Sequence, residues 1–324
     1  VKGSPRLEPE DVERARRVVA RHLPPTPLSP SRALRDLGDV RLKLECRQPT
    51  GSFKVRGALN VLGGLPGPAA QRGVVAASAG NHALGVAFAV QALGGRIPAT
   101  VVVPETAPRA KVDRLRTFPV TVIEHGASYD AAFGEAQRLV RATGAVCVHA
   151  FDDPATAAGQ GTVGLELLEA VPEAGLVVVP LGGGGLLTGL AVVLKAARPG
   201  VRVVGVQPEA APSWRDSLRA GRALVEYAAG PSLADGIAGG IGELVFAHRH
   251  LVDDVVLVSE AEMAEAVAAL WREDEVRAEA SGAAGVAALR AGRVRPPGAR
   301  PTVAVVTGAN IDEEALARIL ERHR

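Results

Sequence analysis

The feature that most limits what this chain can fold into is an alternation of short β-branched runs with longer helical periods, from about residue 73 onward. GVVAAS leads into the helix-like NHALGVAFAVQALG, ATVVVP into PRAKVDRLRTF, and VTVIEHG into SYDAAFGEAQRLVRAT, before AVCVHA. Strands that read as near-continuous apolar runs are buried on both faces, as in parallel sheets covered by crossover helices. The same grammar resumes after Asp152, with a helix over 155–170, LVVVP at 176–180, a glycine run, a helix to about 197, VRVVGVQ, and VAVVTG at 303–308. The expected fold class is α/β, with two doubly wound open sheets. A length of 324 residues suits about two domains. Joints are expected at the Pro/Gly-rich stretch Gly63 to Pro68 and at the turn Phe151 to Pro154. RLKLEC at 41–46 precedes the first joint and is assigned to the second sheet. That gives a large domain of 1–66 plus 152–324, with 67–151 inserted as a small one.

Composition removes several classes of function. The formal charge is +2, from 37 basic and 35 acidic residues, and aromatics make up 3%. No basic stripe or stacking platform for nucleic acid follows from that balance. No apolar stretch approaches the roughly 20 residues of a membrane span. Val1 to Arg17 is charged throughout and lacks the apolar core of a signal peptide, so a cytoplasmic protein is expected. Cys46 and Cys147 have no CxxC spacing and read as buried free thiols in a reducing compartment, with neither disulfide nor metal. Only Lys2, Lys43, Lys54, Lys111 and Lys195 supply lysine, so each is worth separate attention.

Four segments fall at the C-terminal ends of strands, where open α/β sheets bind ligands. LVVVP runs into Leu181, Gly182, Gly183, Gly184, Gly185 and Leu186 before a helical period begins. Four glycines let successive N–H groups turn toward one point, and a helix N-terminus adds about half a positive charge. The natural guest of such a cradle is a phosphate. Neither the GxGxxG dinucleotide pattern nor the Walker pattern is matched. In the second segment, Pro49 to Ala58, Lys54 sits between Phe53 and Val55 just past a turn. A lone lysine is ordinarily a solvated charge, but desolvation here would lower its pKa and free the amine for imine chemistry. The third segment is Ser78, Ala79, Gly80, Asn81 and His82, whose N–H groups and hydroxyl suit a carboxylate. A histidine so placed is more often a core or capping residue. The fourth, Thr307 to Asn310, closes the last strand with a hydroxyl. Together these point to pyridoxal 5′-phosphate held as a lysine imine.

SFKVRGALN, SAGNHALGVA, AGQGT at 158–162, LGGGGLLTGLA and TGAN, in this order over nearly the whole chain, resemble the fold type II pyridoxal-phosphate enzymes, in particular the threonine/serine dehydratase branch. The resemblance implies that Lys54 forms the internal aldimine, that Phe53 lies against the pyridine ring and that Asn81 bonds the ring hydroxyl. The loop Gly182, Gly183, Gly184, Gly185 and Leu186 would bind the 5′-phosphate, and Thr307 would face the pyridine nitrogen. Ser78, Ala79, Gly80, Asn81 and His82 would form the substrate turn, with Ser78, Gly80 and His82 around the carboxylate.

The sulfhydrylase branch resembles SGNTG at that turn, whereas this chain reads AGNHA. Serine racemases are similar but carry a serine where this chain has Ala79, and that serine serves as the base on the opposite face. Elimination is therefore expected to outrun racemisation. The racemase metal site resembles a glutamate at Gln207 and an aspartate near Ser213; both carboxylates are missing here, and no metal is expected. HGASYD and FDDP are similar to biosynthetic threonine dehydratases, yet the chain ends at Arg324, so no C-terminal regulatory domain is expected. The implied reaction is β-elimination from a β-hydroxy L-amino acid, L-threonine or L-serine, to a 2-oxo acid and ammonia. The implied assembly is a homo-oligomer, a dimer. Alternatives are an amino-acid racemase, a dehydratase of a bulkier or acidic substrate, and a silent ligand-binding relative, against which the intact Lys54 argues.

Overall fold

Apolar runs bounded by glycine and proline become strands, and the polar-faced periods between them become helices. The computed structural model describes residues 6–323. Its strands are β1 (Leu28–Pro30), β2 (Val40–Leu44), β3 (Val74–Ala77), β4 (Ala99–Val103), β5 (Thr121–Glu124), β6 (Val146–Cys147), β7 (Leu176–Pro180), β8 (Arg202–Pro208), β9 (Asp254–Val258) and β10 (Thr302–Val306). Six of them form one sheet in the order β1-β2-β10-β7-β8-β9, and four form another in the order β5-β4-β3-β6. All neighbours are parallel except β1, which runs antiparallel along the edge of β2. The fold is α/β, with two open, doubly wound sheets.

Every residue of β7 and β10 is buried, as strands covered on both faces must be. One face of the six-stranded sheet packs against the helices Glu260–Arg272, Ala280–Arg290 and Glu313–Arg322. The other packs against Pro154–Ala170 and Gly185–Ala197. The chain leaves this sheet after β2, builds β3 to β6, and returns at β7. The core of the four-stranded sheet draws in Val19, Leu23 and the face of the helix Lys54–Gly63 bearing Val55, Leu59 and Leu62. Lys54 therefore opens a helix wedged between the two sheets. No helix among the described residues is long and apolar enough to cross a membrane.

Both cysteines are free. Cys46 is buried, which pushes its thiol up to about 12. Cys147 is only half-buried, contrary to the sequence expectation, because β6 has just two residues and forms the edge of its sheet. Gln207 Nε2 donates to Ser213 Oγ at 2.9 Å, and Gln207 Oε1 accepts from the Trp214 N–H at 2.9 Å, so these side chains are already partnered.

Candidate active site

The turn between β2 and the helix Lys54–Gly63 is tied to the end of β10. Ser52 bridges Gly308, the Phe53 N–H donates to Thr307 O at 3.2 Å, and Gly51 takes φ +78° close under the Asn310 side chain. This leaves Lys54 half-buried, with Nζ donating to Ala150 O at 2.8 Å and lying 5.2 Å from the Phe53 ring centroid. Among the described residues no carboxylate forms an ion pair with it. Desolvation is the cause that lowers its ammonium, to about 8.

The residues that follow β6 join the site's parts. Val148 O accepts from His82 Nε2 at 2.8 Å, Ala150 O accepts from Lys54, and the Phe151 ring lies against Gly183. His149 Nδ1 accepts from the N–H groups of Asp152 and Phe151, at 2.9 and 3.3 Å, which fixes the turn. Asp152 in turn accepts from the N–H groups of Glu243 and Leu244, while the Gly242 N–H donates to Gly183 O at 3.0 Å. The glycine loop is thus braced from behind.

Ser78, Ala79, Gly80 and Asn81 lie half-buried at the end of β3, where the helix Asn81–Ala92 begins. Ser78 Oγ accepts from the Gly80 N–H at 3.1 Å, which leaves the hydroxyl proton free to donate. Ala79 packs toward the core of the four-stranded sheet. His82 is buried and its proton-bearing nitrogen is committed to Val148, while Nδ1 has no partner among the described residues. Burial first, and then the nearby Lys54, pull its pKa down to about 3, so the ring is neutral at ordinary pH.

Asn81 accepts from Asn310 Nδ2 at 2.6 Å and donates to Glu279 Oε1 at 2.7 Å. Glu279 is not marked out by any motif. Its only signal was an acidic residue inside the small-residue run Ala278 to Ala288. Thr307 is buried at the end of β10. All four segments singled out in the sequence therefore meet around the ends of β2, β3, β7 and β10.

The sequence family described as pyridoxal-phosphate dependent enzyme matches residues 19–308. The chain belongs to this family. Its cofactor is pyridoxal 5′-phosphate, and the residues present fit that group. The N–H groups of Gly182, Gly183, Gly184, Gly185 and Leu186 meet no protein acceptor among the described residues, and the helix Gly185–Ala197 starts there. A Cβ on Gly183 would overlap the Phe151 ring, and one on Gly184, at φ +100°, would overlap Val245. Packing behind the loop thus demands glycine as strictly as a phosphate in front would. The Leu186 side chain is in the core, so only its backbone can reach a ligand.

Among relatives of this pyridoxal-phosphate enzyme, the L-threonine ammonia-lyase of Thermotoga maritima is 45% identical over 97% of this chain and 78% of its own length. The solved processed form of threonine deaminase isoform 2 from Solanum lycopersicum superposes with a TM-score of 0.89 at 32% identity, covering 96% of this chain and 92% of that one. Maize serine racemase superposes with a TM-score of 0.88 at 33% identity, covering 98% of each chain.

Proposed function

We propose that this enzyme removes the α-proton and the β-hydroxyl of L-threonine and L-serine, giving after hydrolysis a 2-oxo acid and ammonia. The observation that carries this reading is Lys54: a desolvated amine that pairs with no carboxylate among the described residues, bonded to Ala150, next to the Phe151 that backs a loop whose N–H groups meet no acceptor among those residues. Bound pyridoxal phosphate supplies an electron sink for the charge left at Cα. Lys54 would be the amine that holds the cofactor and, when free, its lone pair would take the Cα proton and the resulting ammonium would give a proton to the departing hydroxyl. The glycine loop would hold the phosphate, Phe53 and Asn81 would hold the ring and its oxygen, and Thr307 would be the group nearest the ring nitrogen. A neutral hydroxyl there, unlike a carboxylate, does not stabilise a protonated ring, which suits elimination better than transamination.

The substrate carboxylate would be taken by the N–H groups of Ala79, Asn81 and His82, which have no protein acceptor among the described residues, and by the Ser78 hydroxyl. His82 orients that turn through Val148, because its proton already has an acceptor. Position 79 carries only a methyl and so no side-chain proton donor, which supports elimination over racemisation. We assign 67–151 as the inserted unit and the rest as the cofactor-binding body, working as a homodimer in the cytoplasm.

A panel of L-threonine, L-serine, D-serine, 3-hydroxyaspartate and phenylserine, assayed for 2-oxo acid and by chiral chromatography, tests this. L-Threonine and L-serine should be consumed, and borohydride should fix the cofactor to Lys54. Abundant D-serine from L-serine, or label on another lysine, would overturn the assignment.

A further inference from the structure

Asn81 is held by partners on both sides of its amide. Its Oδ1 accepts from Asn310 and its Nδ2 donates to Glu279. Asn310 is fixed as well: its amide also donates to Thr50 O at 2.8 Å, and its Oδ1 accepts from Arg114 Nη1 at 2.9 Å. A carboxylate only accepts, whereas a primary amide has two N–H donors and one oxygen. Exchanging the oxygen and nitrogen of Asn81 would set oxygen against carboxylate and NH2 against NH2, so its orientation is determined. One N–H of Asn81 is left over. Glu279 stands where the helix Ala280–Arg290 begins, with its backbone N–H bonded to Gly308 O at 3.0 Å, one residue past Thr307.

Resting on the role proposed above for Asn81, we propose that Glu279 is a positioning residue: it aims the remaining Asn81 N–H at the cofactor's ring oxygen and makes that hold depend on its own protonation. An ionised Glu279 places a negative charge just behind the amide and competes for the same NH2 group, which disfavours an anionic ring oxygen. A neutral carboxyl competes less.

The groups that face Glu279 come from several elements. Burial raises its pKa most. Asn81 opposes this through its hydrogen bond, Asp235 adds to it, and Lys111 and the Asn310 backbone N–H oppose it; the balance pushes the carboxyl up to about 7. The Cys46 thiol is also within electrostatic reach, and is neutral because burial pushes it up to about 12. The exchange between the two states therefore falls where small changes of pH matter. Two of the fixing groups, Lys111 and Arg114, come from the helix Arg109–Arg116 beside the four-stranded sheet, so the arrangement is completed across both sheets.

The test is the visible spectrum of the holoenzyme titrated through neutral pH. The unsubstituted protein should show a one-proton shift of the cofactor band centred near 7. Glu279→Gln, which keeps an acceptor but has no proton to lose, should abolish that step. Two substitutions that leave Glu279 in place should move the midpoint oppositely: Lys111→Ala upward, because a positive neighbour is lost, and Asp235→Asn downward. A Glu279→Gln band that titrates like the unsubstituted protein would overturn the proposal, as would unmoved midpoints in the other two. Asn81→Ala separates the two layers of inference. If it leaves the band unchanged at every pH, the assignment of Asn81 to the ring oxygen is wrong. If it shifts the band while Glu279→Gln keeps the step, only the role of Glu279 fails.

Discussion

Two cations sit two residues apart at the start of one helix, and the fold treats them oppositely. Arg56 is 1% exposed and meets Glu45 through two parallel bonds of 2.8 Å, Nε to Oε2 and Nη2 to Oε1. It also meets Glu166 at 2.6 Å and Thr162 at 3.0 Å, while Lys43 pairs with Glu166 and donates to Thr26 O. Two positive and two negative side chains close on one another in the interior. Burial alone would pull the guanidinium pKa down, but the two carboxylates outweigh it and hold it above its ordinary value. Glu45 is held low by the same pairing, although burial opposes it. Among the described residues Lys54 meets a carbonyl and the Phe53 ring but no counter-charge, and desolvation acts on it unopposed. A cation given counter-charges is held in its charged form; one denied them gives up its proton more readily.

The largest effect should come from exchanging these roles. Lys54→Arg keeps a positive charge at the site but supplies one that never loses its proton. Removing a general base costs about 10²–10⁴ in rate, and 2-oxo acid production should fall by at least that much. Measurable turnover in this variant would show that charge, not a free amine, is what the site needs.

Next in size is Arg56→Met. It leaves the buried Glu45 and the partly buried Glu166 with Lys43 as the remaining cation of the cluster, and breaking such a cluster costs about 3–5 kcal/mol. Denaturant unfolding should report that loss, and a second change, Glu45→Gln, should restore part of it. An unchanged midpoint would mean that the cluster does not hold the helix.

The smallest effect is a pH dependence. Below about 8 the amine of Lys54 is mostly ammonium and cannot attack an aldehyde; above it the amine is neutral. Recombination of the cofactor-free protein with pyridoxal phosphate, followed by absorbance, should quicken by about tenfold per pH unit up to that point and then level off. A plateau reached only a full unit higher would imply an unseen counter-charge for Lys54.

The strands that carry the site were legible because β3, β4, β7, β8 and β10 are apolar runs with clear turn chemistry after them. β1 was not: three residues ending in Pro30 have no period, and only the edge of β2 makes them a strand. β9 also went unread; its run Asp254–Val258 is half-exposed and takes its place only by pairing with β8. The glycine loop and Lys54 announced themselves locally. The meaning of Arg56 and Glu279 did not, since it depends on partners far along the chain: Glu166 lies 110 positions from Arg56, and Asn81 lies 198 from Glu279. The glycine pattern reads as an opening for phosphate, yet Phe151 and Val245 press on the loop from the other side. A one-dimensional pattern cannot tell which face of a loop requires the missing side chain.

The carbonyl of Ala150 makes the engagement of Lys54 visible to vibrational spectroscopy. While the amine donates to it, its stretch is softened; when the amine turns to other chemistry, that donor is withdrawn and the band stiffens. A carbon-13 label at this one peptide group would separate its band from the rest of the amide envelope. It would time the departure of Lys54 without touching any atom that reacts.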